Sequence, residues 1–371
     1  MPAQIYLDYN ATAPMLSAAQ AAMSAALAAY GNPSSVHSFG RAQRARIEAA
    51  RVQVAALVGA EAQQVVFTSC GTEANNLALI GVEAKTIVVS AIEHDSILNG
   101  AVRPLVAPVQ ISGVIDLEKL EALIAEAPPP VLVSVMLANN ETGVVQPIAE
   151  VVKIAHSHGA LLHCDAVQAV GRIAIDMPAL GIDLMTISAH KIGGPQGVGA
   201  LIVGEHVHLQ PQMRGGGQER GSRAGTENVP GVIGFGAAAA AAHNSLEDWD
   251  RVARLRESLE TRLGKIFGND LQIFGHDAGR LPNTCCVARA GIPAETQIIA
   301  LDLAGIAVSA GSACSSGKVQ VSHVLAAMGV ADRIAHTAIR ISLGPTTSAA
   351  DIEFFFVTYR ALRGRGVEHA A

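Results

Sequence analysis

The sequence predicts an α/β fold: a large domain built on a mostly parallel sheet, followed by a smaller α+β domain. Three observations lead there. Short apolar runs alternate with helical stretches from about residue 60 to 205, the signature of layered strand–helix units. Those runs are continuously apolar, as expected of parallel strands covered on both faces. Beyond residue 230 the alternation persists but loosens. A chain of 371 residues is long enough for two domains.

In chain order, strands are expected at VVFTS (65–69), TIVVS (86–90), VLVSVML (131–137), ALLHCD (160–165), LMTIS (184–188) and ALIVG (200–204). Helices are expected at 72–82, 116–126 and 147–158. The last has Pro147 to start it and Gly159 to stop it. Residues 205–230 read as a polar loop containing MRGGGQERGSRAGTEN. One long Ala-rich helix is expected over 231–268, and the Ala run 237–242 is good helix-forming material. The smaller domain then offers LQIFG, CCVARA, a helix near 294–304, IAVSAG, a helix near 322–328, AIRISLG and a last helix to about 363.

Half of the residues are hydrophobic and 16% are charged, which supports a sizeable core. The net charge of −6 and the lack of any Lys/Arg-rich run argue against a nucleic-acid surface. No uncharged apolar stretch reaches the length of a membrane span. The N-terminus has no basic stretch followed by an apolar run, so no signal peptide is expected. Five cysteines (Cys70, Cys164, Cys285, Cys286 and Cys314), odd in number and without a CxxC pair, fit a reducing cytoplasm better than a disulfide framework.

The chemistry-bearing residues fall at strand ends. Lys191 follows the strand LMTIS in a turn of small residues, where a partly desolvated lysine has a lowered pKa and can form a Schiff base. The bland reading is a solvated loop lysine. Asp165 ends ALLHCD and could keep a pyridine nitrogen protonated; Gln168 and Asn140 could donate to a phenolic oxygen. Taken singly, Asp165 could cap a helix and Asn140 make a turn. Cys70, Gly71 and Thr72 open a helix after a strand, a phosphate-binding arrangement, which Ser188, His190 and Thr226 could complete. His94, after TIVVS, could stack on a flat ring and move protons. Cys314 sits in a Gly/Ser-rich loop where a thiol can ionise and attack. Arg340, mid-strand among apolar neighbours, calls for a carboxylate partner from substrate or protein.

These segments together resemble the cysteine desulfurases, the NifS/IscS-like branch of the fold-type I pyridoxal-phosphate enzymes. The resemblance runs over nearly the whole chain: YLDYNATAP, GNPSSVHSFGR, TSCGTEANN, IEHDS, NNETGVVQ, HCDAVQAVGR, SAHKIGGPQGVGAL, GGGQERGSRAGTEN, GSACSSG and IRISLG, in that order. It implies a mostly parallel seven-stranded sheet in a large domain, residues 16–262, and a smaller domain made of 1–15 and 263–371. It implies pyridoxal 5'-phosphate on Lys191, with His94 stacked on the ring, Asp165 at the ring nitrogen, and Asn140 and Gln168 at the phenolic oxygen. Gly71, Thr72, Ser188 and His190 would hold the phosphate, with Thr226 reaching it from the other subunit of a homodimer. Arg340 and Asn32 would grip the carboxylate of L-cysteine. Cys314 would carry the persulfide to a sulfur acceptor or iron–sulfur scaffold protein and is a candidate transient ligand to iron. Cys70 stands where Gly or Ala is familiar, and Glu227 where Pro or Ala is.

Competing readings are a selenocysteine lyase or another aminotransferase or lyase of the same fold. Weaker ones are a dinucleotide site at Gly234 and Gly236, which lacks a preceding strand, and a metal site drawn from His156, His158, His163 and Cys164.

Overall fold

The computed structural model describes residues 4–311 and 321–362. A short strand β1 (Ile5–Tyr6) opens the chain. A seven-stranded sheet follows, made of β2 (Val65–Thr68), β3 (Thr86–Ser90), β4 (Leu105–Ala107), β5 (Val131–Ser134), β6 (Leu161–Asp165), β7 (Leu184–Ser188) and β8 (Gly199–Val203), in the spatial order β2-β8-β7-β6-β5-β3-β4. All neighbouring strands are parallel except at β8, which runs antiparallel to both β7 and β2. The expected mostly parallel sheet is therefore present. The run ALIVG is as apolar as its neighbours because β8 is equally buried, so its composition gives no hint that its direction is reversed. The short strand β4 was not expected.

Helices cover both faces of this sheet. One apolar cluster joins Val65, Phe67, Val133, Leu162, Met185 and Ala200 to Val54, Ile148, Val151 and Phe235. The other joins Val66, Val89, Leu132, Leu184 and Leu201 to Ala74, Leu77, Ala78 and Ile97. Alternate residues of each strand thus point to opposite layers. The parallel strands end on one edge of the sheet, at Ser90, Ser134, Asp165 and Ser188. In an open α/β sheet that edge is where a ligand crevice forms.

A second, antiparallel sheet is built from β9 (Leu271–Ile273), β10 (Thr284–Arg289), β12 (Ser309–Ala310) and β13 (Ala338–Ser342), in the order β12-β13-β10-β9. Beside it, β1 pairs in parallel with β11 (Ile306–Ala307). Its core contains Leu7, Cys285, Val287, Ile339, Phe355 and Tyr359, together with Val252, Leu259 and Leu263. No described helix is long and apolar enough to cross a membrane.

The single long helix expected over 231–268 is two helices, Val229–Asn244 and Asp248–Phe267. They serve different cores. The first buries Phe235, Ala238, Ala239 and Ala242 against the large sheet's helices. The second turns Val252, Leu259, Leu263 and Phe267 toward the antiparallel sheet, so it spans the expected boundary at residue 262. Gly234 and Gly236 lie inside the first helix. A Cβ there would meet Met23 at 2.6 Å and Ala50 at 2.7 Å respectively. They permit close helix packing and form no phosphate turn.

Gly199 performs a similar service at the ligand edge. A Cβ on it would lie 2.6 Å from the carbonyl carbon of Cys70 and 2.9 Å from the nitrogen of Gly71, and backbone atoms have little room to yield. Gly199→Ala is expected to destabilise the fold by about 1–3 kcal/mol and to displace the start of the helix Gly71–Gly81. A lowered urea midpoint would show it; an unchanged midpoint would mean that β8 shifts freely.

Candidate active site

A cavity of about 210 Å³ opens at the carboxyl edge of the large sheet. Its wall includes Gly71, Thr72, His94, Asn140, Asp165, Gln168, Ser188, His190 and Lys191. These nine residues, all singled out in the sequence, thus share one cavity although they come from five separate chain segments.

The floor is set by Lys191, in the turn Ala189–Lys191 after β7. Its Nζ donates to the carbonyl oxygens of Asn10 (2.6 Å) and Ala11 (2.9 Å). Burial, with the guanidiniums of Arg340 and Arg172, pushes the amine down to about 7 against the opposing charges of Asp8 and Asp165. Burial and the Lys191 charge push neighbouring His190 down to about 4, so its imidazole is neutral.

Asp165 is held by two donors: the Nδ2 of Asn75 reaches its Oδ2 at 2.8 Å and the Val167 amide reaches its Oδ1 at 3.0 Å. Asn75 Nδ2 also donates to the Oγ of Ser96 at 2.8 Å. Ser96 Oγ lies 2.8 Å from the Nδ1 of His94, which also accepts from the Ser96 amide at 3.1 Å. Since the amide can only donate, Nδ1 is the acceptor and the ring proton of neutral His94 sits on Nε2. A continuous chain of hydrogen bonds therefore runs from Asp165 through Asn75 and Ser96 to His94. Sequence reasoning missed Asn75 and Ser96. The only available signal was their place near the start of the helices Gly71–Gly81 and Asp95–Leu98, which begin at the sheet edge.

The phosphate-binding arrangement expected at the start of the helix Gly71–Gly81 has its capping residue at Cys70, not Thr72, and no side chain caps it. The first amides of that helix are left for a ligand. Beside them the Oγ of Ser188 is buried without any hydrogen-bond partner. Arg340 pairs through Nη2 with Asp8 at 2.9 Å and through Nη1 with the Asn140 carbonyl at 3.0 Å, while its buried Nε has no partner.

Residues 5–355 match the family model for aminotransferase class-V. The chain belongs to that family. It is 42% identical over 362 residues to cysteine desulfurase 2 of Trichormus variabilis, covering 94% of this chain and 90% of that protein. It is 39% identical over 369 residues to cysteine desulfurase IscS of Dictyoglomus turgidum, covering 95% and 93%. The fold is similar to that of a NifS-like protein from Rickettsia africae, with a TM-score of 0.90 and 40% identity over 97% of this chain and 99% of that one. Class-V aminotransferases of this branch are pyridoxal-phosphate enzymes of fold type I, and this chain is one.

The cavity fits that cofactor. An unpartnered buried hydroxyl beside free helix amides suits a phosphate, a carboxylate at the far wall suits a pyridinium, and a lysine near neutrality suits a carbonyl carbon. Two expected site residues stand apart from this class-V aminotransferase cavity. Asn32 and Thr226 are exposed on the chain, and the Oδ1 of Asn32 accepts from the Ser34 amide. Cys314 lies outside the described residues. Cys70 lines the cavity, whereas Glu227 lines a separate cleft with Arg44, Arg51 and Arg220. The histidines weighed as metal ligands have other partners: His156 meets Asp183 at 3.0 Å, and buried His163 lies between Ser134 (2.9 Å) and Thr186 (3.0 Å).

Two outcomes follow. Between about pH 7 and the ordinary lysine value of 10.5, the unfolded chain binds a proton at Lys191 that the folded cofactor-free protein does not. Folding stability therefore rises with pH across that window. Cofactor-free Lys191→Met is expected to gain most on wild type at or below pH 7, with the gap closing toward pH 10. A constant gap in denaturation midpoints would refute the depressed amine. Ser96→Ala removes the hydroxyl from Nδ1 of His94 and is expected to lower kcat on the order of tenfold, about 1.4 kcal/mol, with KM little changed.

Proposed function

We propose that this enzyme is a cysteine desulfurase: it converts L-cysteine to L-alanine and passes the sulfur, as a persulfide on Cys314, to an acceptor for iron–sulfur cluster assembly. The observation that carries the reading is Lys191, an amine lowered to about 7 and facing Asp165 and His94 across one cavity. At neutral pH much of it is free base, able to bind the cofactor and then to take the proton from the substrate Cα at Nζ. Bound pyridoxal phosphate supplies the sink for the electrons that this proton leaves behind.

The chain's own residues do the rest. Asp165 holds the proton of the ring nitrogen. Asn140 and Gln168 orient the ring at its phenolic oxygen. Gly71, Thr72, Ser188 and neutral His190 hold the phosphate, joined by Thr226 from the second subunit of a homodimer. His94 stacks on the ring and presents its Nε2 proton to the reacting side. Arg340, whose buried Nε is unpartnered, grips the substrate carboxylate together with Asn32. Cys314 takes the substrate sulfur and hands it to a thiol of a sulfur-acceptor or scaffold protein. The cofactor body is residues 16–262 and the smaller body residues 1–15 with 263–371, bridged by the helix Asp248–Phe267. The four described cysteines are free thiols, in keeping with the cytoplasmic location we propose.

The test is release of alanine and persulfide sulfur from L-cysteine. Lys191→Ala should lose both the yellow colour and turnover. Cys314→Ala should keep the colour and lose turnover by at least about a hundredfold. Equal alanine release by wild type and Cys314→Ala would instead point to a lyase or aminotransferase on this scaffold.

A further inference from the structure

Arg172 lies in the loop after β6 and is only 3% exposed. Its guanidinium is hydrogen-bonded to neutral oxygens: Nη1 to Asn10 Oδ1 (2.8 Å) and to Gln168 Oε1 (2.8 Å), and Nη2 to the Tyr9 carbonyl (3.3 Å). The Trp249 ring lies 5.9 Å from its central carbon. Among the described residues it forms no ion pair. A buried cation without a counter-charge is costly, and such groups concentrate where the charge is used.

The surrounding charges sharpen the point. Asp8 is paired with Arg340, Asp165 is held by Asn75 and the Val167 amide, and His190 is neutral. Arg172 is left as a cation facing no free carboxylate, close to the Lys191 amine that it helps to depress. Arg172 is a donor at every nitrogen, so the Gln168 group it touches at 2.8 Å must be the carbonyl. The amide nitrogen is thereby turned away from Arg172. One of its N–H bonds goes to the Asn10 carbonyl at 3.0 Å, and the other remains for the cavity that Gln168 lines.

We propose that Arg172 is a positioning residue for the cofactor: it locks the Gln168 amide with N–H toward the ring and, by polarising that amide, extends its positive charge to the anionic oxygen of the bound ring. The inference rests on the reading of this cavity as the pyridoxal-phosphate site. Through that oxygen, Arg172 disfavours protonation of the nitrogen by which Lys191 holds the cofactor. The same charge helps depress the free amine of Lys191, alongside burial and Arg340.

The experiment is a pH titration of the visible absorbance of the cofactor-loaded protein. Wild type, Arg172→Gln and Arg172→Lys are compared, each also in a Gln168→Leu background. Removing the charge should raise the midpoint of the colour change by roughly one pH unit. Arg172→Lys, which keeps the charge, should move it less than half as far. In the Gln168→Leu background the Arg172→Gln shift should fall to under half, because the relay is gone. No shift, or an equal shift in both backgrounds, overturns the proposal. Should Arg172→Gln not fold, the release rate of the cofactor from Arg172→Lys decides. A several-fold rise that disappears with Gln168→Leu supports the amide lock, and an unchanged rate overturns it. A wild type that binds the cofactor and converts cysteine while these variants behave alike leaves the functional reading standing. A wild type that takes up no pyridoxal phosphate overturns both.

Discussion

The main-chain and side-chain amides of Asn10 bind the two sheets and the candidate active site to one another. Its backbone carbonyl accepts from Lys191 Nζ and Gln168 Nε2. Its side-chain oxygen accepts from Arg172 and Asn283, and its side-chain nitrogen donates to the Asn140 carbonyl and Thr284. Its own backbone N–H donates to Ser342. The side chain is 1% exposed with its hydrogen-bonding capacity filled. A buried amide is tolerable only on those terms, so the groups around it are confined to one arrangement. Among them are Lys191, Gln168 and Asn140 of the cofactor cavity and Thr284 and Ser342 of the antiparallel sheet.

That arrangement crowds positive charge around one amine. Arg340 and Arg172 both lie close enough to depress Lys191, and burial removes the water that would screen them. Asp8 answers Arg340 directly at 2.9 Å, and the Asp165 charge is steadied by two donors. The balance leaves the lysine near neutrality without stripping it of hydrogen bonds. A carbonyl-binding lysine needs both a free-base fraction and a fixed direction, and here the N-terminal segment supplies the direction.

The strand-end motifs were legible because parallel strands deliver their carboxyl ends to a common edge. Once TIVVS, ALLHCD and LMTIS were read as strands, His94, Asp165 and Lys191 had to be neighbours. Asn75, Ser96 and Arg172 were not legible. Each makes its decisive bond to a residue between 4 and 162 positions away, or bridges two such residues. Nothing in a lone Asn or Ser on a helix announces a partner across the sheet. The break at 245–247 escaped for a related reason: helix propensity runs through it, and only the need to feed two cores splits it.

By itself the sequence determined the layered α/β architecture, the buried strands, and the residue types gathered at their ends, since hydrophobic periodicity and turn chemistry are local properties. The tertiary structure alone decided the reversed direction of β8, the seating of Asn10 between the sheets, the proton position on His94 and the unpaired charge of Arg172. Each of those depends on which distant groups share a low-dielectric space, and no local pattern encodes that.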